Sequence, residues 1–137
     1  MAVSPTARRV AAVLLLAYGA AGAVLTLWPT SFVGPLISLI QGIASISFGK
    51  AEFLANVALF VPLSALLALV LPARLRYVVL PACFLISVAV ESLQAVALPD
   101  RVPSVADIVA NTAGACLGLV AIAVIDALAG RDPRPPA

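Results

Sequence analysis

The chain has 137 residues, of which 64% are hydrophobic and 10% charged. A soluble domain is about 45–50% apolar and about 25% charged, so this composition excludes a water-soluble globule. It also excludes a disordered chain, because disorder requires low hydrophobicity. The net charge of +2 and the absence of histidine favour neither a nucleic-acid partner nor a metal site. We therefore expect an all-α polytopic membrane helix bundle without metal or cofactor.

Four segments are long and apolar enough to cross a bilayer as helices: residues 10–28, 53–71, 78–98 and 105–125. Each would be roughly 28–32 Å long, which matches a hydrocarbon core of roughly 30 Å. Residues 30–49 are also apolar, but glycine and proline interrupt them. We expect an interfacial or re-entrant helix there, on the outer face. A loop packed on the bundle is the alternative.

The basic residues predict the orientation of the bundle. Six basic residues flank the predicted spans at one end of the bundle: Arg8, Arg9, Arg74, Arg76, Arg131 and Arg134. Only two, Lys50 and Arg101, flank them at the other end. The positive-inside rule then places both termini in the cytoplasm. Residues 1–129 would form one membrane domain and residues 130–137 a disordered cytoplasmic tail. Alternatively, the first apolar segment is a cleaved signal peptide, because two arginines precede it and small residues follow its core.

Polar side chains within the predicted helices concentrate near the outer end. Glu91 and Gln94 are three residues apart and share a face of the third helix. Asp107 and Asn111 share a face of the fourth helix, and Asn56 lies near the outer start of the second. These positions lie roughly 5–10 Å below the membrane surface by helix rise. We expect no comparable polar cluster in the inner half.

The polar face of the fourth helix continues into Gly114-x-x-x-Gly118. Small residues at this spacing let another helix backbone approach closely, so we expect the face to point into the bundle. Structural interpretations remain open for the polar residues. The amides would join neighbouring helices by hydrogen bonds, and Ser104-x-x-Asp107 would form a capping box at the start of the fourth helix.

Glu91 is the residue that a purely structural interpretation explains least well. A carboxylate in hydrocarbon costs roughly 2.5 kcal/mol or more, so it needs a partner, a proton or a function. Arg101, in the short outer loop, is the candidate cation. Two interpretations stay open, a structural Glu91–Arg101 pair and a functional pocket. We expect Glu91 to lie within reach of Arg101 and of either Asn111 or Asp107.

These polar residues carry a resemblance to the VanZ-like family of small bacterial polytopic membrane proteins. The matching motifs, in chain order, are Asn56, Phe60-Val61-Pro62-Leu63, Glu91-x-x-Gln94 and Arg101-x-Pro103-Ser104-x-x-Asp107-x-x-x-Asn111-x-x-Gly114-x-x-x-Gly118. Two departures are present: many relatives have glycine where this chain has Ser64, and some have a histidine just before the second helix. The resemblance implies a link to resistance against teicoplanin, a glycopeptide antibiotic that carries a lipid tail. No agreed mechanism comes with the family.

We interpret the cluster as an outer-leaflet pocket for a membrane lipid, a lipid-linked cell-wall precursor or a lipoglycopeptide-like amphiphile. The predicted ligand-binding residues are Asn56, Glu91, Gln94, Arg101, Asp107 and Asn111. Arg101, with Lys50 as a second candidate, would receive a phosphate or carboxylate. One alternative is a structural or accessory subunit with a membrane-protein partner. Another is an intramembrane enzyme with Glu91 as general base and Asp107 as its partner, although no catalytic residue is assigned.

Overall fold

The computed structural model describes residues 4–27, 38–39, 42, 47–97 and 104–130, and these form helices and short connections without strands. The helices are α1 (Pro5–Leu27), α2 (Phe48–Val70), a 3-10 helix (Ala73–Val78), α3 (Val79–Ala97) and α4 (Val105–Leu128). Among these residues, four helical segments are long and apolar enough to cross a membrane, which confirms the prediction of an all-helical chain with four candidate membrane spans. The predicted outer helix, within residues 30–49, lies largely outside the described residues, as does the tail beyond Gly130.

Local sequence signals explain where the helices begin and end. Ser4 precedes α1 and its hydroxyl accepts a hydrogen bond from the Ala7 backbone N–H at 3.2 Å, while Pro5 occupies the first helical position, which suits its fixed φ. Pro72 follows the end of α2 and disfavours a helical conformation at the residue before it. Ser104 is the N-cap of α4. The sequence prediction began the first helix at residue 10 and so missed its first turn, because that prediction was based on the apolar segment alone.

The most extensive helix contact joins α2 to α4. A Cβ added at Gly114 would lie 3.0 Å from the Phe60 Cβ and closer still to the Val57 carbonyl oxygen. A Cβ at Gly118 would collide with the Ser64 hydroxyl and the backbone of α2. The glycine pair therefore works as predicted, because it lets the two backbones approach. This contact sets the rotation of α4 and turns its polar face toward the bundle interior.

Buried residues form one stripe on α3 and another on α4. On α3 they are Val79, Cys83, Ser87, Glu91 and Gln94. On α4 they are Asp107, Ala110, Asn111, Gly114, Ala115, Gly118, Ile122 and Asp126. The opposite faces carry large exposed apolar side chains such as those of Leu85, Val96 and Leu117, as expected for surfaces that contact lipid. Each stripe carries polar groups at the end of the bundle where Gln94 and Asp107 lie and smaller or apolar groups deeper, and the stripe on α4 ends in Asp126 at the opposite end.

A partly buried ion pair lies at the other end of the bundle. A guanidinium nitrogen of Arg76 donates to an Asp126 carboxylate oxygen, and Arg76 Nε donates to the Ala68 carbonyl at 2.9 Å. The pair joins the 3-10 helix to the ends of α2 and α4. The sequence analysis expected no polar cluster comparable to the outer one in this half and did not predict this pair, because Asp126 directly follows the apolar segment.

Candidate functional site

Glu91 links α3 to the start of α4. Its Oε2 atom accepts a hydrogen bond from the backbone N–H of Ser104 at 2.9 Å. The Ser104 hydroxyl in turn accepts from the Asp107 backbone N–H at 3.3 Å. Glu91 is thus buried with a defined partner on α4. Arg101, its predicted partner, lies outside the described residues, so that prediction stays untested.

The contact from Glu91 changes the expected capping box. In a complete box, the side chain at the third helical position accepts a bond from the N–H of the N-cap residue. Here the Ser104 N–H donates to Glu91 instead of Asp107. Only the other half of the predicted box forms, the bond from the Asp107 N–H to the Ser104 hydroxyl. Within the described part of the chain, no hydrogen bond reaches the Asp107 carboxylate. Asp107 is a buried residue, and its side chain lines a cavity instead of closing the helix end.

Asn111 lies one turn deeper than Asp107 on α4 and bonds to α3. Its Nδ2 group donates to the Ser87 hydroxyl oxygen at 2.8 Å, in a buried contact. Its Oδ1 atom is buried and has no donor among the described residues. Ser87 did not figure in the sequence prediction, although it precedes Glu91 by four residues and therefore shares its helix face.

Gln94 links α3 to α1. Its Nε2 group donates to the backbone carbonyl of Thr26 at 2.7 Å. Because a carbonyl oxygen can only accept, this contact also defines which end of the amide carries the nitrogen. The Gln94 Oε1 atom is buried and, in the described residues, meets no donor. The structural interpretation of the amides as links between helices is therefore correct for the nitrogen atoms of Gln94 and Asn111, and it does not account for their oxygen atoms.

These side chains converge on a cavity of about 300 Å³. It brings together the five predicted site residues that the structure describes: Asn56, Glu91, Gln94, Asp107 and Asn111. Most of its remaining lining is apolar, from Leu59, Phe60, Leu63, Ile86, Val90 and Leu93. The cavity thus has a polar side formed by α3 and α4 and an apolar remainder, which suits a molecule with both characters.

Helix α1 completes the cavity, which the sequence prediction missed because it assigned the site to the three later helices. Its lining residues are Tyr18, Gly19, Gly22, Ala23 and Thr26. A Cβ at Gly19 or Gly22 would meet nothing within 4 Å, so these glycines leave space and do not serve close packing. Their spacing of three to four residues was the available signal for a common face.

The cavity wall is rich in acceptors and contains two carboxylates. None of its described lining residues is basic. Lys50 is exposed and does not line the cavity, so its predicted role toward a phosphate has no support from its position. No group of three or more described His, Cys, Asp or Glu residues could hold a metal ion. The described wall can therefore accept hydrogen bonds and attract positive charge.

Comparison with known proteins identifies one family. A family model described as VanZ/LLP1 matches residues 10–126, which covers α2 and α3, most of α1 and α4, and every described residue that lines the cavity. No curated protein and no solved structure matches the chain.

Proposed function

The chain belongs to the VanZ/LLP1 family, and on that premise we propose that it binds the head group of a membrane amphiphile in the cavity between its four helices. The observation that carries this proposal is the cavity itself. Glu91, Gln94, Asp107 and Asn111 form one side of a space whose other lining is largely apolar. Polar groups inside a membrane bundle are costly and concentrate where a substrate passes or binds.

The cavity lies at the end of the bundle away from both chain termini. Thr26 is near the end of α1, Asn56 is near the start of α2, and Gln94 is near the end of α3. With the six-to-two bias of basic residues, the positive-inside rule places the termini in the cytoplasm. The cavity then opens toward the outer leaflet of the cell membrane, where lipid-linked cell-wall precursors and lipid-tailed glycopeptides are met.

The size of the cavity limits what it can enclose. A volume of about 300 Å³ is at the lower end of ligand pockets. It accommodates a head group with the first part of an acyl chain, while the rest of the chain lies in the bilayer. A role of this kind would link the protein to teicoplanin-type resistance through the handling of an amphiphile in the envelope.

Photocrosslinking in vesicles tests the proposal. The full-length protein is reconstituted with phospholipids that carry a diazirine near the carboxyl end of one acyl chain, and the labelled peptides are mapped by mass spectrometry. We expect labels on the cavity-facing residues of α1 and α2. The variant Gly22→Leu should abolish these labels. Gly22 lines the cavity and an added Cβ there meets nothing within 4 Å, so a leucine side chain would fill the open space.

Ala21→Leu is the matched control, because Ala21 is exposed on the same helix and does not line the cavity. It adds the same side chain to the lipid-facing surface and should leave cavity labelling unchanged. Equal labelling of both variants, or labels spread evenly over the exposed faces of the wild-type protein, would show that the cavity holds no amphiphile.

A structural or accessory role is the second candidate, favoured by the hydrogen bonds that join the helices through Glu91, Gln94 and Asn111. In that case the polar residues serve folding, and the protein acts through a stoichiometric membrane-protein partner. Glu91→Gln should then lower the stability of the bundle and the yield of partner crosslinks together, and amphiphile labelling of the cavity should be absent from the wild type as well.

A further inference from the structure

Three residues that line the cavity carry side-chain oxygens without a hydrogen-bond donor in the portion of the chain that the structure describes. These oxygens are Gln94 Oε1, Asn111 Oδ1 and the two of the Asp107 carboxylate. The three residues are 2%, 4% and 8% exposed, respectively, and all three line the cavity. Leaving buried acceptors without donors is unfavourable. The wall is therefore complementary to a group that donates several hydrogen bonds.

The charge at this wall has the sign that attracts a cation. Asp107 is buried because the close contact of α4 with α2 turns its face inward. The box contact that would have occupied its carboxylate is replaced by the bond from Ser104 to Glu91. A carboxylate away from water is stabilised by a nearby positive charge. No described lining residue supplies that charge.

We propose that the head group bound in this cavity is a primary ammonium, and that Asp107, Gln94 and Asn111 receive its three N–H groups. An ammonium carries three donors and no acceptor, so it supplies the hydrogen-bond donors that these side-chain oxygens lack. The ammonium binds the Asp107 carboxylate as a charge-assisted pair, and the amide oxygens accept its other protons. This inference rests on the proposed function and names the chemical class of its ligand.

The alkyl part of such a ligand has a place on α1. Gly19 and Gly22 line the cavity and leave open space beside them, and the apolar side chains of Leu59 and Leu63 on α2 continue this lining. A chain that begins at the ammonium site can therefore follow the glycine face of α1 toward the lipid. The arrangement separates the polar and apolar ends of one molecule.

Competition between matched head groups tests the proposal. The diazirine probe is prepared with three heads on the same acyl chains: phosphatidylethanolamine, phosphatidylcholine and phosphatidylglycerol. The ethanolamine head has a positive charge with N–H donors, the choline head has the charge without N–H donors, and the glycerol head has hydroxyl donors without the charge. We expect ethanolamine to label the cavity at least about tenfold more than either of the others, the ratio typical of a hydrogen bond to a charged group.

A second arm distinguishes an ammonium on a phospholipid from an ammonium alone. Dodecylamine and dodecanol, which carry no phosphate, are added as competitors against the ethanolamine probe. We expect dodecylamine to displace the label and dodecanol to have no effect at the same concentration. If only intact phospholipids compete, the phosphate is the recognised group and the ammonium assignment is wrong.

The decisive variant is Asp107→Asn, which removes the charge and keeps the size of the side chain. It should reduce the preference for ethanolamine over choline to about twofold or less, with Asp107→Ser as a second variant. Because no described hydrogen bond uses this carboxylate, both variants should fold, which circular dichroism checks. Glu52→Gln is the control. It removes a carboxylate near the same end of the bundle, but Glu52 does not line the cavity.

The possible failures are distinguishable. If all three heads label the cavity equally, or if Asp107→Asn keeps the full preference, the ammonium assignment is wrong while the amphiphile site stands. If no head labels the cavity in the wild-type protein, the proposed function itself is refuted.

Discussion

Gly118→Ala tests the contact that positions the whole site. An added Cβ would lie 3.2 Å from the Ala65 backbone nitrogen and much closer to the Ser64 hydroxyl and the Val61 carbonyl oxygen. Backbone atoms cannot move without shifting α2. Overpacking of this kind costs about 1–3 kcal/mol, occasionally more. We expect Gly118→Ala to lower the free energy of unfolding by this packing cost less the gain in helix propensity from alanine.

Gly19→Ala is the matched control for this substitution. Both glycines are inside helices, so replacement by alanine brings a similar gain in helix propensity, about 0.8–1.0 kcal/mol. At Gly19 the new Cβ meets nothing within 4 Å, so the gain should appear as a small stabilisation. The difference between the two variants cancels the propensity and isolates the packing cost, about 1–3 kcal/mol.

Unfolding in mixed detergent micelles, by titration with sodium dodecyl sulfate and followed by far-ultraviolet circular dichroism, measures this difference. Ser64→Gly in the Gly118→Ala background should restore only part of the lost stability, because the Val61 carbonyl oxygen remains in the way. Should Gly118→Ala prove as stable as Gly19→Ala to within about 0.5 kcal/mol, α4 would not pack on α2 through this face. The argument for an inward-facing Asp107 would then fail with it.

Two further predictions concern contacts that join the helices. Asp126→Asn should destabilise the bundle by about 3 kcal/mol in the same assay, because it leaves Arg76 without its buried carboxylate. The double variant with Arg76→Met should recover at least half of that loss, and no recovery would contradict the pairing. Tyr18→Phe removes the hydrogen bond that the hydroxyl donates to the Leu59 carbonyl at 2.8 Å, and should cost about 0.5–1.5 kcal/mol. An unchanged stability would show that this bond contributes nothing to the contact between α1 and α2.

The membrane class, the four helices and the end of the bundle that carries the polar residues were all predictable without coordinates. Length and hydropathy are properties of contiguous segments, so the spans follow from the chain alone. The direction of side chains within one helix follows from its period of 3.6 residues. For that reason the shared faces of Glu91 with Gln94, and of Asp107 with Gly114, were predicted correctly.

Contacts between helices depend on how the helices are rotated and how far apart they lie. The periodicity of a single helix does not determine either quantity. The chain order does not show that Ser104 gives its N–H to Glu91, or that the Arg76 guanidinium reaches Asp126 across the bundle. Nor does it show that α1 closes the cavity with glycines. Two glycines therefore have opposite roles here. Gly118 allows α2 to pack closely against α4, whereas Gly22 leaves open space in the cavity. Only the packed arrangement distinguishes them, since the difference lies in the neighbouring helix.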